Sequence, residues 1–283
     1  MNVNELTFKL KSAADAAAVP LYRLLGRRPW SPGYYTTKRR AIEYAIDADV
    51  IRPGENLPPS FGIALDERVV EYAWLLGRLR REKISGRLLD AGSALNHSFL
   101  LSRDPLKGAD LTIMTLAPEK RCQWYDGYSY VFGDLRQTIF RDCAFDVVIC
   151  ISTIEHVGLD NTLLYTNDAS RAESDEKGFL PAIREFRRLL KPGGRCYITF
   201  PFGKYANLGW YQIFDSAMVQ SIADTFSPST YSVEYFGYTE GGWQRATQKQ
   251  VEDSSAFDIH SGRGRGNDRA ASSRAIACVR LAV

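Results

Sequence analysis

The stretch RLLDAGSALNH, residues 87–97, decides the fold. Two leucines lead into Asp90, and Gly92 follows two residues later, a pattern typical of a buried strand that ends in a tight turn. Turns of this kind often cradle a ligand in parallel sheets, but they normally contain two or three spaced glycines. Here residues 93–96 are Ser-Ala-Leu-Asn instead. The stretch therefore predicts a strand end, and the neighbouring segments must show whether it binds a ligand.

The rest of the chain alternates apolar runs with helical patterns. Further apolar runs occupy residues 110–116, 128–134, 145–152 and 195–202, with closing strands expected at 231–238 and 272–283. An apolar stripe at helical spacing marks residues 66–82, where Asp66 is the expected N-cap, and residues 179–190. Buried strands separated by helices predict an α/β fold with a mostly parallel sheet covered on both faces.

The sequence predicts two regions, an N-terminal extension at residues 1–64 and a sheet domain at residues 65–283. Apolar residues recur at helical spacing over residues 6–17, beside two lysines. This pattern predicts a helix that packs on the protein body or, alternatively, one that associates weakly with a membrane surface. Residues 26–61, rich in proline, glycine and arginine, predict an irregular lid, and residues 239–273 predict a long polar loop.

Composition excludes several classes of protein. The 283 residues are 45% hydrophobic and 24% charged, with a net charge of +3, which is too small to predict a nucleic-acid partner. The five cysteines form no CxxC pair, which favours the reducing cytoplasm. No apolar run approaches the roughly 20 residues of a membrane span. The oligomeric state is not predicted.

Polar or small residues follow the strands of the predicted sheet. In an open parallel sheet, ligands bind beyond the carboxyl ends of the strands, so these residues are expected to share one site. They are found at residues 90–93, 115–119, 133–136 and 152–157.

Three segments carry a resemblance to a known family: LLDAGSALN, YVFGDLRQTIFRDCAFDVVICISTIEHVG and EFRRLLKPGGRCYITFPFGK. In this order and spacing they resemble the class I S-adenosylmethionine-dependent methyltransferases, over roughly residues 60–215. The chain is most similar to a bacterial branch associated with the synthesis of surface polysaccharides and glycolipids. The resemblance implies a Rossmann-like three-layer sandwich with a seven-stranded, mostly parallel sheet, and S-adenosyl-L-methionine as the cofactor.

The resemblance also implies which residues bind the cofactor. Gly92 is expected to approach its methionine part closely, because glycine has no side chain to obstruct it. Asp90 is expected to orient this loop or to bond the cofactor's amino group, and Asp134 to accept a hydrogen bond from the adenine. The full expected set is Asp90, Ala91, Gly92, Ser93, Asn96, Thr115, Leu116, Asp134, Leu135, Ser152 and Thr153.

The end of the second strand departs from the family pattern. The family normally has an acidic residue there that holds both ribose hydroxyls, whereas this chain has Thr115. A threonine hydroxyl cannot accept from both, so either Thr115 bonds one hydroxyl or Glu119 substitutes.

His156 is the candidate catalytic base. A histidine of ordinary pKa accepts a proton at neutral pH, and a hydroxyl acceptor must lose one during methyl transfer. A structural or cofactor-side role for His156 is the alternative. No metal is expected, because relatives that bind a metal through the neighbouring Glu155–His156 pair carry a second carboxylate where this chain has Ser152.

The segment after the fifth strand is expected to bind the acceptor through Lys204, Asn207, Trp210 and Tyr211. Aromatic faces beside polar groups suit a sugar ring. We therefore expect O-methylation of a sugar, nucleotide-sugar or glycolipid, in surface-polysaccharide or secondary-metabolite synthesis. The alternatives are N- or C-methylation of another metabolite, and a catalytically silent protein of this fold that binds a partner.

Overall fold

The computed structural model describes residues 3–119, 122–166 and 168–283. Its main sheet has eight strands in the order β3-β2-β1-β4-β5-β10-β8-β9, and the short strands β6 and β7 form a separate hairpin. The strands are β1 (Arg87–Ala91), β2 (Asp110–Thr115), β3 (Ser129–Phe132), β4 (Phe145–Ile151), β5 (Leu190–Pro201), β6 (Ala206–Asn207), β7 (Gln212–Ile213), β8 (Thr230–Thr239), β9 (Gly242–Ala246) and β10 (Ala275–Ala282).

The first five strands of the sheet are parallel, and the last three are antiparallel additions. Strands β2, β1, β4 and β5 pair in parallel with their neighbours, and β10 runs antiparallel to both β5 and β8. The expected number of seven strands is corrected to eight, because β9 pairs with β8 inside the segment expected to be a polar loop. Trp243 anchors β9 in the core and is 2% exposed.

Nine helices accompany the sheet in the described ranges: α1 (Val3–Ala17), α2 (Val19–Leu24), α3 (Tyr34–Asp47), α4 (Arg68–Arg81), α5 (Ser98–Leu101), α6 (Thr162–Tyr165), α7 (Phe179–Leu189), α8 (Ser216–Phe226) and α9 (Gln248–Val251). Helices α3 and α4 cover one face of the sheet, and α7 and α8 cover the other. Successive residues of β1 point to opposite faces of the sheet: Leu88 packs in the core beneath α3 and α4, and Leu89 packs in the core beneath α7 and α8. No helix of the described residues is long and apolar enough to cross a bilayer.

Helix α4 joins the N-terminal extension to the sheet. The helix begins at Arg68 with Glu67 at the N-cap position, so the expected cap at Asp66 is one residue off. Asp66 is buried; its Oδ1 still accepts the amide of Arg68 at 3.2 Å, and its Oδ2 accepts from the Tyr34 hydroxyl (2.9 Å) and the Lys38 ammonium (2.7 Å). Because Tyr34 belongs to the same core as α4, the extension packs on the sheet domain.

Candidate active site

A cavity of about 750 Å³ opens at the carboxyl ends of the parallel strands. Its volume lies within the range of small-molecule sites. Nine residues of the expected site contribute to its wall: Gly92, Ser93, Thr115, Leu116, Asp134, Leu135, Ser152, Thr153 and His156. Strand ends that are distant in sequence therefore meet at one cavity, as the topology of a parallel sheet requires.

The loop after β1 has backbone geometry that requires glycine. Gly92 has φ +121°, and a Cβ there would lie 2.2 Å from Oγ1 of Thr153. Ser93 (φ +61°) and Ser152 (φ +37°) also adopt the left-handed region. Backbone strain of this kind costs about 1–3 kcal/mol per residue and is concentrated at functional sites. The close contact between Gly92 and Thr153 brings the first loop against the end of β4.

The Asp90 carboxyl group anchors the loop after β1 by a hydrogen bond. The side chain is fully buried, and its Oδ2 accepts the Leu95 amide at 2.8 Å, whereas Oδ1 has no partner among the described residues. Burial raises the pKa of Asp90 to about 7; the Glu119 carboxylate raises it further, and the Leu95 amide and Arg68 oppose the rise. Asp90 is not among the residues that line the cavity, and its bond to the Leu95 amide orients the loop.

The loop fits a ligand that brings hydrogen-bond donors. The Ser93 hydroxyl lines the cavity, is buried and has no partner in the described part of the chain. An unpaired buried oxygen is costly, and the ammonium of a methionine group would satisfy it. The absent side chain at Gly92 leaves room for the same group, as expected for S-adenosyl-L-methionine.

Asn96 and Glu119 connect the first loop to the turn after β2. Asn96 Nδ2 donates to Glu119 at 2.8 Å, and its Oδ1 accepts from the Tyr130 hydroxyl at 2.8 Å. Neither Asn96 nor Glu119 lines the cavity, but Thr115 does. Of the two candidates for the ribose hydroxyls, Thr115 is the one in the cavity wall.

Asp134 and Leu135 form the wall after β3. The guanidinium of Arg136 binds the Asp134 carboxylate at 2.6 Å and also binds Glu173 at 2.6 Å. Burial raises the pKa of Asp134, but the bonds from Arg136 outweigh it and hold the pKa below its usual value. The Asp134 carboxylate is therefore ionised and can accept a hydrogen bond at neutral pH. Leu135 is buried beside it, as packing against a flat ring requires.

His156 lies in the cavity wall with a fixed tautomer. Its Nδ1 is 2.8 Å from the carbonyl oxygen of Trp210, and because a carbonyl only accepts, Nδ1 carries the proton. Nε2 is then left with a lone pair. Burial lowers the pKa of His156 to about 4; the Trp210 carbonyl opposes this, and Arg68 adds to it. The ring is neutral above about pH 5, with Glu155 Oε1 at 3.9 Å from Nε2.

A buried network behind the cavity holds Arg68 and Ser152. Glu71 is fully buried and accepts from the hydroxyls of Ser152 and Thr199, both at 2.6 Å. Its other oxygen binds Nη1 of Arg68 at 2.9 Å, and the Arg68 guanidinium lies 5.7 Å from the centre of the Tyr72 ring. Arg68 and Tyr72 both line the cavity, so a fixed positive charge faces the ligand space.

The structure places the four expected acceptor-binding residues outside the cavity wall. Trp210 and Tyr211 lie behind His156, with ring centres 5.0 and 5.9 Å from the imidazole. Asn207 Nδ2 donates to Glu176 at 2.8 Å, and Lys204 is exposed beyond β5. The β6–β7 hairpin folds back on the protein, so these side chains support His156 or face solvent. Their role in acceptor binding stays a prediction.

Other cavity residues were not expected from the sequence. Arg68 and Tyr72 come from α4, and Leu164 and Tyr165 come from α6, which forms a wall opposite the strand ends. The sequence offered one signal for Arg68: it is a charged residue in the first turn of a helix whose other residues are mostly buried. Leu164 and Tyr165 carried no such signal, because a single helical turn has no measurable periodicity. Within the described ranges, no group of three or more metal-ligating side chains was found.

Residues 91–198 match the family model described as a methyltransferase domain. Among curated proteins, no sequence matches this chain significantly.

Solved structures provide weaker similarities. The 1,6-didemethyltoxoflavin-N1-methyltransferase of Burkholderia thailandensis, with bound 1,6-didemethyltoxoflavin and S-adenosylhomocysteine, is 12% identical with a TM-score of 0.45, over 100% of this chain and 90% of that one. The N-methyltransferase NodS of Bradyrhizobium japonicum WM9, in complex with S-adenosylhomocysteine, is 13% identical with a TM-score of 0.44, over 86% and 98%. The [4+2]-cyclase SpnF is 16% identical with a TM-score of 0.38, over 58% of this chain and 58% of that one.

The TM-scores of these solved structures are below 0.5, so the family assignment depends on the family model alone. The family match begins at Ala91, the last residue of β1, and includes the loops that follow β1 to β4, which contribute to the cavity wall. The family match confirms two predictions from the sequence: that the protein is a methyltransferase and that its cofactor is S-adenosyl-L-methionine. Residues 91–198 form a methyltransferase domain, and the chain is an enzyme that uses S-adenosyl-L-methionine.

Proposed function

We propose that the enzyme transfers a methyl group to a hydroxyl of a sugar, a nucleotide-sugar or a glycolipid, in surface-polysaccharide or secondary-metabolite synthesis. The observation that carries the proposal is His156, which lines the same cavity as Gly92 and Asp134 and whose Nδ1 bond to Trp210 leaves the lone pair on Nε2. A hydroxyl acceptor needs a group that takes its proton, and a neutral imidazole is suited to this.

The residues present divide the cavity into two parts. Gly92, Ser93 and Thr115 would hold the methionine and ribose portions of S-adenosyl-L-methionine, and Asp134 and Leu135 the adenine. When bound, the cofactor supplies an electrophilic methyl group on sulfur. The acceptor then occupies the space beside Ser152 and His156, where the cavity walls exclude water and align the hydroxyl.

His156 would accept the hydroxyl proton at Nε2 while the methyl group passes from the cofactor sulfur to the acceptor oxygen, with S-adenosylhomocysteine as the leaving group. The hydrogen bond from Nδ1 to the Trp210 carbonyl keeps the ring in the required tautomer and stabilises the imidazolium that results. Trp210 and Tyr211 pack against this ring, which supports a positioning role for the β6–β7 hairpin.

Arg68 favours an acceptor with an anionic group. Arg68 lines the cavity, and its guanidinium binds the Glu71 carboxylate at 2.9 Å. A guanidinium binds phosphate or carboxylate by paired hydrogen bonds. Within the proposed classes, this favours a nucleotide-sugar or a phosphate-bearing glycolipid over a neutral sugar. The five unpaired cysteines support a cytoplasmic reaction.

The test uses S-adenosyl-L-methionine carrying a ¹³C-labelled methyl group. The enzyme is incubated separately with nucleotide-sugars, phosphorylated glycolipids, neutral sugars and amines, and the product methyl is identified by its carbon chemical shift. The proposal predicts an O-methyl signal from the first two classes, and a matched His156→Gln variant that forms at least about tenfold less product. An N-methyl or C-methyl product, or equal turnover by the variant, would overturn it.

A further inference from the structure

Residues 1–44 have an excess of positive charge. Residues 1–44 contain eight lysines and arginines and three acidic residues, a net charge of +5, whereas the whole chain has +3. The remaining 239 residues therefore have a net charge of −2. Such a difference between two parts of one chain indicates an anionic partner for the positive part.

Helix α2 presents apolar side chains to solvent within this segment. Leu21, Leu24 and Leu25 follow helical spacing and share one face, with exposed fractions of 54%, 83% and 68%. Val19 and Tyr22 lie on the opposite face and are buried. Leu10 of α1 adds a fourth exposed leucine, at 64%. Exposed leucines are individually ordinary, but three on one short helix form a patch that nothing in the described chain covers.

Three exposed arginines lie close to these leucines in sequence. Arg23 lies between the leucines in sequence, Arg27 and Arg28 follow directly, and all three are exposed. Leucines beside arginines form the combination that peripheral membrane segments use, in which the apolar side chains enter the lipid and the cations contact anionic headgroups.

The patch is held in place on the protein. Asp15, near the end of α1, accepts hydrogen bonds from the amides of Gly33 and Thr36 at 2.7 Å each, at the N-terminus of α3. The side chain of Arg269 donates to the Gly26 carbonyl at 3.2 Å, just after α2. These contacts fix α2 with its leucines outward, so that membrane contact needs no rearrangement of the fold.

We infer that the surface formed by Leu21, Leu24, Leu25, Arg23, Arg27 and Arg28 docks on an anionic lipid bilayer. A second copy of the chain is a poorer occupant, because a two-fold interface would bring the same arginines of both copies together. An anionic bilayer offers headgroups that pair with the arginines and an apolar layer that takes up the leucines. The surface depends on neither the cavity nor the proposed reaction.

The experiment measures co-sedimentation of the full chain with vesicles. One set is neutral phosphatidylcholine, and the other contains about one third phosphatidylglycerol. We expect about tenfold stronger binding to the anionic vesicles, weakened at high salt because salt screens the arginines. The double variant Leu24→Gln, Leu25→Gln should lose about tenfold in binding, and Arg27→Gln, Arg28→Gln should lose most of the salt dependence.

Two controls separate docking from other effects. Ile139 is 81% exposed and lies outside the patch, so Ile139→Gln should bind vesicles as the unchanged protein does. The leucine variant should bind S-adenosylhomocysteine normally, which shows that it folds. Equal binding to both vesicle types, or full binding by the leucine variant, would overturn the inference. A dimer that the leucine variant dissociates, detected by light scattering, would also overturn it and identify a second copy as the occupant.

Discussion

Replacement of Asp90 by asparagine should stabilise the protein at alkaline pH. In the folded state the carboxyl is fully buried, one oxygen accepts the Leu95 amide and the other has no partner in the described residues. The pKa of Asp90 is raised from 3.8 to about 7, mainly by burial. The shift of about three units corresponds to about 4 kcal/mol, since each unit is worth about 1.4 kcal/mol.

The direction of the pH effect on stability follows from the raised pKa of Asp90. Between pH 4 and pH 7 the folded protein holds a proton on Asp90 that the unfolded chain has released, so this group destabilises the fold progressively as pH rises. Asparagine has no such titration, and its oxygen can still accept the Leu95 amide. The free energy of unfolding of Asp90→Asn, minus that of the unchanged protein, should therefore increase by about 3 kcal/mol between pH 5 and pH 8.

Urea unfolding of both proteins at pH 5 and pH 8 measures this difference. Other buried carboxyls, such as Glu155, titrate in both proteins and cancel in the comparison. Because Asp90 acts through the loop, the variant should bind S-adenosylhomocysteine within about fivefold of the unchanged protein; loss of a direct charged bond would cost about 1.5–3 kcal/mol, or tenfold and more. A stability difference that does not change with pH would refute the reasoning.

Three further changes test other parts of the site. Gly92→Ala should weaken S-adenosylhomocysteine binding at least about tenfold in calorimetry, because its Cβ would collide with Thr153 and φ +121° is unfavourable for alanine; unchanged affinity would place the cofactor elsewhere. The pH profile of kcat/KM should rise through about pH 4, since His156 must be neutral and burial lowers its pKa to about 4, and His156→Gln should lack this rise; a rise that persists in the variant would contradict its role as the base. Glu71→Gln should cost about 2–4 kcal/mol in urea unfolding, because the buried partner of Arg68 loses its charge; a cost below about 1 kcal/mol would show that the network is not needed for stability.

The parallel half of the sheet was predictable because its strands are buried on both faces. Residues 87–91 form β1 as expected, and the strands at 110–115 and 145–151 end within one residue of the predicted positions. Strand β9 was not predicted, because it is short and its sequence, GWQRA, has one large apolar residue. Its position depends on the bond from the Trp243 amide to the Phe61 carbonyl of the N-terminal extension, a contact between residues far apart in sequence.

The candidate site was predictable at the strand ends and not elsewhere. Loops after parallel strands converge whatever their sequence, so Gly92, Asp134 and His156 could be placed at one cavity. The direction in which the β6–β7 hairpin folds back, which puts Trp210 behind His156, depends on tertiary packing. The same holds for Arg68, whose position follows from its buried bond to Glu71.

Calorimetric titration of the purified full chain with S-adenosylhomocysteine tests most directly whether the cavity is the cofactor site. The unchanged protein should bind with a Kd tighter than about 100 µM, the range of many metabolite sites. A Gly92→Arg variant, which fills the loop with a long side chain, should remain folded by circular dichroism and show no binding. Absence of heat from the unchanged protein at millimolar ligand, or equal binding by the variant, would contradict the assignment of this cavity.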